Sequence, residues 1–110
     1  MNNKQKLLLF LISSNPGIKD IYTLVKVFDR ADFPSEISKD LKALVDNNSI
    51  FVSETFDNGT PNKYEITNDG KKYLENNFDD SETINYIKTM SNFDLLLNIT
   101  KLYIEKKNSL

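Results

Sequence analysis

Ser35, Glu36, Ser38, Lys39 and Lys42 fall on one side of a helical period, opposite Ile37, Leu41, Leu44 and Val45. A lysine on such a face reaches guanine edges or phosphates, a serine adapts to either, and a glutamate can accept from cytosine. The plain alternative is a solvated helix face. Glu36 and Asp40 favour that alternative, because a carboxylate repels phosphate. A second polar group clusters at a turn: Asn58, Gly59, Thr60, Asn62 and Lys63. Its members could touch a minor groove or its phosphates. Lys63 is the only cation near this tip and Asp57 sits beside it, so an ordinary structural hairpin is the competing reading. Lys71 and Lys72, with Lys4, Lys6 and Lys19, could add phosphate contacts, although a scatter of lysines usually serves solubility.

Catalysis is not expected. The 110 residues contain no histidine and no cysteine, which removes the commonest general base, metal ligand and thiolate nucleophile together. There is no glycine-rich phosphate loop either. No catalytic residue, metal site or cofactor is therefore assigned, and the chain is expected not to be an enzyme. The pair Asp79-Asp80 reads as a helix cap, since neighbouring cap residues do not converge on one point.

The elements that must position the polar groups follow from patterning. Lys4 to Ser14 read as a first helix, apolar almost all round at Leu7, Leu8, Phe10, Leu11 and Ile12. Such a helix is buried in its own core or in a partner's. Asn15-Pro16-Gly17 stops it. Ile18 to Phe28 form a second amphipathic helix, and Arg30 to Phe33 a turn. Pro34 suits the first turn of the third helix, Ser35 or Asp32 can cap it, and Asn47-Asn48 ends it. Ser49 to Phe56 and Asn62 to Thr67 read as two strands around an Asn-Gly turn, a strong hairpin signal. Tyr64 and Ile66 share one face of the second strand. Thr67 or Asn68 caps a fourth helix over Asp69–Asn77. Thr83 to Lys107 read as one long helix that Ser91-Asn92 could kink or split. It carries two adjoining apolar stripes, more than one small domain needs, so Ile84, Ile87, Met90, Leu95, Leu97, Ile99 and Leu102 are expected to face a second copy; the plain alternative is a helix folded back on the chain's own core.

Charge weighs the other way. Net charge is −2 and the pI near 5.1, whereas nucleic-acid affinity rests largely on phosphate neutralisation. Residues 1–78 hold ten Lys and Arg against eleven Asp and Glu, and residues 79–110 four against five, so neither part is basic. No apolar run approaches the roughly 18 residues of a membrane span, and no signal peptide is read. A soluble, cytoplasmic protein without membrane contact is expected.

The order Leu41-x-x-Leu44, Ile50, a hairpin, then Tyr64-x-Ile66-Thr67-x-x-Gly70-x-x-Tyr73-Leu74 resembles the winged helix-turn-helix of bacterial transcription regulators, closest to the MarR/PadR-like group. The resemblance spans about residues 5–78. Members usually carry glycine where this chain has Asn48. The resemblance implies an α+β, mostly α, fold: a winged-helix domain over 1–78 and a long C-terminal helical dimerisation element over 79–110. It further implies a homodimeric regulator of transcription that binds double-stranded DNA. Its third helix would lie in the major groove through Ser35, Glu36, Ser38, Lys39 and Lys42. Its wing would flank that helix through Asn58, Thr60, Asn62 and Lys63. A two-fold would set the recognition helices roughly 34 Å apart. Related regulators often hold an effector at the dimer interface, and this sequence names none. The alternative is a winged-helix module for protein–protein contact without DNA binding.

Overall fold

The computed structural model describes residues 1–31 and 37–109. Along them run α1 (Asn3–Ser13), α2 (Ile21–Arg30), α3 (Ser38–Asp46), β1 (Ile50–Thr55), β2 (Pro61–Ile66), α4 (Asn68–Asn77), α5 (Asp80–Ile87) and α6 (Asp94–Asn108). The protein is mostly helical, with one two-stranded antiparallel sheet.

The apolar run of α1 decides the centre. Leu7, Leu8, Leu9, Phe10, Leu11 and Ile12 are all buried. Consecutive residues point all round a helix, so α1 must be surrounded, and α3, α4, α5 and β2 all pack against it. Each such leucine buried contributes roughly 1.5–3 kcal/mol. The helix begins with a capping box, Asn2 Oδ1 accepting from the Gln5 N–H at 2.8 Å while the Gln5 side chain accepts from the Asn2 N–H at 3.2 Å.

Helix α2 starts at Ile21, three residues later than the apolar spacing from Ile18 implies. Asp20 is the reason. Its carboxylate accepts from the Thr23 N–H at 2.9 Å and the Thr23 hydroxyl at 2.8 Å, which caps the helix there. Ile18 to Asp20 are instead extended. The Ile18 N–H donates to Leu11 O, and Lys19 O accepts from the Tyr64 N–H. Asp20 and Lys63 form an isolated antiparallel bridge, so this short segment flanks β2.

Strand β1 pairs with β2 in the register Ile50↔Ile66, Phe51↔Glu65 and Val52↔Tyr64, with irregularities towards the turn. Gly59 takes φ +85 in that turn, a conformation L side chains adopt rarely. Asn48 has φ +63 after α3, the left-handed stop expected of it. Pro34 and Ser35, the expected start of that helix, lie outside the described residues.

Downstream of the hairpin, Thr67 ties three pieces together. Its hydroxyl accepts from the Gly70 N–H at 3.0 Å, capping α4, and lies 2.5 Å from Asn48 O and 3.0 Å from Ser49 O. Gly70 is buried against the same segment. A Cβ there would run into Ser49 O and come within 2.8 Å of Ile66 Cγ1.

One long C-terminal helix over Thr83–Lys107 is not what forms. The chain makes α5 and α6 with a turn over residues 88–93, a split at the Ser91-Asn92 break point. Thr89 Oγ1 donates to Tyr86 O at 2.7 Å, a local bond that competes with helix continuation. Ile87, Leu96, Leu97 and Ile104 then join the same apolar cluster as α1, Leu24, Phe28, Leu41, Leu44 and Tyr64. Lys107 clasps the two helices, its Nζ 2.7 Å from Asp80 Oδ1, and Asn108 donates to Asp80 Oδ2. Among the described residues no helix is long and apolar enough to cross a membrane.

Candidate nucleic-acid interface

Leu41 and Leu44 anchor α3 in the core, and this sets which side chains face out. Ser38, Lys39, Lys42 and Asp46 are exposed. Lys42 pairs with Asp46 one turn on, Nζ to Oδ2 at 2.8 Å, with both side chains well exposed. A pair of that kind contributes about 0.3–0.5 kcal/mol and gives way readily to a phosphate. Lys39 has no ion-pair partner among the described residues. Ser35 and Glu36, expected on the same face, lie outside the described residues.

Asp40 departs from the expected arrangement. It does not stand on the outer face of α3. Its carboxylate meets Lys4 Nζ at 2.9 Å, with both side chains largely covered, and accepts from Gln5 Nε2 at 3.3 Å. Burial, and then the Asp40 charge, push the Tyr86 hydroxyl above the usual tyrosine range. Asp40 lies three residues after Ile37 and four before Leu44, which places it on the apolar side of the helix. The repulsion it was expected to exert on phosphate is therefore absent from the exposed surface, and Lys4 is engaged inside rather than free for DNA. Lys19 is also occupied: its Nζ reaches Ile12 O at 3.0 Å and Glu65 Oε2 at 2.9 Å. Lys71 and Lys72 are exposed on α4.

The hairpin spends its polar groups on itself. Asn58 Oδ1 accepts from the Thr60 N–H at 3.1 Å and the Thr60 hydroxyl at 2.7 Å. Asn62 donates to Glu54 Oε1 at 3.4 Å, and Lys63 Nζ lies 3.3 Å from Glu54 Oε2. Glu54 thus sits between the two side chains expected to face phosphate. Burial raises the Asp20 carboxyl, but the Thr23 bonds and nearby Lys63 outweigh it and leave Asp20 below its usual range. The hairpin also exposes Phe51 and Phe56, 48% and 46% accessible, apolar surface that the polar spacing did not point to.

The residues expected to face a second copy divide. Ile87 and Leu97 are closed inside the chain's own core and offer a partner no surface. Their stripe requires one unbroken helix, and the turn over residues 88–93 folds it inward. Ile84, Met90 and Ile99 are partly covered. Leu95 and Leu102 remain exposed on α6. No protein-family model, no curated protein and no solved structure matches the chain.

Proposed function

We propose that the chain is a winged-helix regulator of transcription, acting in the cytoplasm as a homodimer on double-stranded DNA, with α3 in the major groove and the hairpin as its wing. The supporting observation is the sorting of charge on α3. Ser38, Lys39 and Lys42 face solvent, while Asp40 is held inside by Lys4. Among the described residues Asp46 is the carboxylate left on the exposed side of α3, already matched by Lys42. The extended segment at Asp20, bridged to Lys63, supports the winged-helix reading. Leu95 and Leu102, one on each side of Ile99 along α6, support a two-fold contact.

Anisotropy titration against duplexes selected from a random pool tests the proposal. Binding is expected to steepen as salt falls, and Lys39→Ala to reduce the salt slope by about one. Lys39→Glu is expected to weaken binding at least tenfold, on the order of 1–3 kcal/mol. Absence of binding at about 50 mM salt, where electrostatic affinity is strongest, would defeat it. The exposed Phe51 and Phe56, beside a hairpin whose polar groups are satisfied internally, favour a second reading: a protein-contact module. That reading predicts no retardation of DNA by wild type or any lysine variant.

A further inference from the structure

A cleft of about 860 Å³ opens where the end of α1 and the following Asn15-Pro16 meet α4 and the last turns of α6. Its volume lies within the range of small-molecule sites, roughly 300–1,000 Å³. Phe10 and Phe78 line it as a stacked pair, ring centroids 4.3 Å apart and planes 16° from parallel. Leu74 and Pro16 extend this apolar lining. Polar groups come from both sides: Ser13, Ser14 and Asn15 from the end of α1, and Tyr103, Lys106 and Lys107 from α6. The Ser13 and Ser14 hydroxyls already donate to Phe10 O. Tyr103 and Lys106, three residues apart and so on one face of α6, both line the cleft. Among the described residues neither the Tyr103 hydroxyl nor the Lys106 ammonium has a side-chain partner. Burial pushes the Tyr103 hydroxyl above the usual tyrosine range.

Lys107 also lines the cleft, but it is committed elsewhere: it pairs with Asp80 and lies 4.7 Å over the Phe78 ring. Among the described residues Glu75 is the single carboxylate lining the cleft. It stands against a ligand of high negative charge, and the apolar lining stands against a wholly polar one. An O–H donor and an ammonium on one helix face suit one carboxylate, and the aromatic pair suits its apolar body.

We infer that this cleft binds an amphipathic monocarboxylate, its carboxylate taken by Tyr103 and Lys106 and its apolar body laid against Phe10, Phe78 and Leu74. The body could be an acyl chain or an aromatic ring system. The site lies within one chain and apart from the α3 surface, so it stands whether or not the protein binds DNA.

Calorimetric titration of the full chain, without DNA, with oleate, 2-naphthoate and methyl oleate tests it. Oleate, naphthoate or both should bind with a dissociation constant on the order of micromolar, and the ester at least tenfold more weakly. Binding of oleate alone identifies an acyl body, and of naphthoate alone an aromatic one. Lys106→Ala should weaken the carboxylate about tenfold, the usual scale of a charge-assisted bond, and leave the ester unchanged. Tyr103→Phe should act the same way. Lys106 is exposed, and Tyr103→Phe keeps the ring that packs against the core, so the melting temperature of each variant without ligand should stay close to wild type. The inference is overturned if neither carboxylate binds, if ester and acid bind alike, or if correctly folded Lys106→Ala and Tyr103→Phe retain wild-type affinity.

Discussion

Gly70 shows how a single position can be fixed by its neighbours rather than by its own backbone. Its φ is unremarkable for a helix, yet Ser49 O and Ile66 Cγ1 occupy the space a side chain would need. Gly70→Ala should therefore destabilise the protein by about 1–3 kcal/mol, the scale of overpacking, read as a lowered denaturation midpoint with unchanged slope. Only the resemblance carried by Tyr64-x-Ile66-Thr67-x-x-Gly70 marked this residue in the sequence, and the close approach to Ser49 is visible only once hairpin and helix are docked. Asp40 was more legible than it first looks. Its spacing to Ile37 and Leu44 puts it on the buried side of α3, but composition argues against burying a carboxylate. What resolved the conflict was Lys4, thirty-six positions earlier in the chain, which no local pattern can link to it. Among the described residues the buried Thr100 hydroxyl has no hydrogen-bond partner.

At the scale of elements, stops and caps carried most of the information. Asn48 and Gly59 took the left-handed conformations their residue types imply, so the end of α3 and the hairpin turn could be placed in advance. The start of α2 could not, because a cap at Asp20 and pairing of Lys19 and Asp20 with β2 outweighed the apolar spacing from Ile18. The C-terminal segment shows the same competition: its stripes continue through residues 88–93, but Thr89 turns its hydroxyl back to the chain. Thr67 is the element-scale joint. Its hydroxyl caps α4 and also holds the end of α3 through Asn48 O and Ser49 O. Thr67→Ala should cost about 1–2 kcal/mol, the upper range for a lost cap. Thr67→Ser, which keeps the hydroxyl, should recover most of it. Chemical denaturation of the two variants side by side checks this.

For the whole molecule, acid should act at the clasps between elements. Asp20 and Asp80 feel burial first, which raises their carboxyls. The bonds from Thr23 in one case, and from Lys107 and Asn108 in the other, outweigh it and leave both below the ordinary 3.8. A carboxyl depressed by folding stabilises the native state above its unfolded value, and that contribution is lost as pH falls through the folded one. The melting temperature should therefore hold from neutrality to about pH 5 and drop below about pH 4. Asp80→Asn should melt lower than wild type at pH 7, with the gap narrowing in acid. A constant gap across a pH series of thermal melts would show that the Asp80 charge plays no part.

The position of α1 has a consequence for how the protein can meet anything else. A rod whose leucines are all covered cannot be handed over along its length without dismantling the house around it. A duplex or a twin subunit must dock on the outer shell of helices and hairpin, whereas a small acid in the cleft would touch the end of this rod directly, at Phe10.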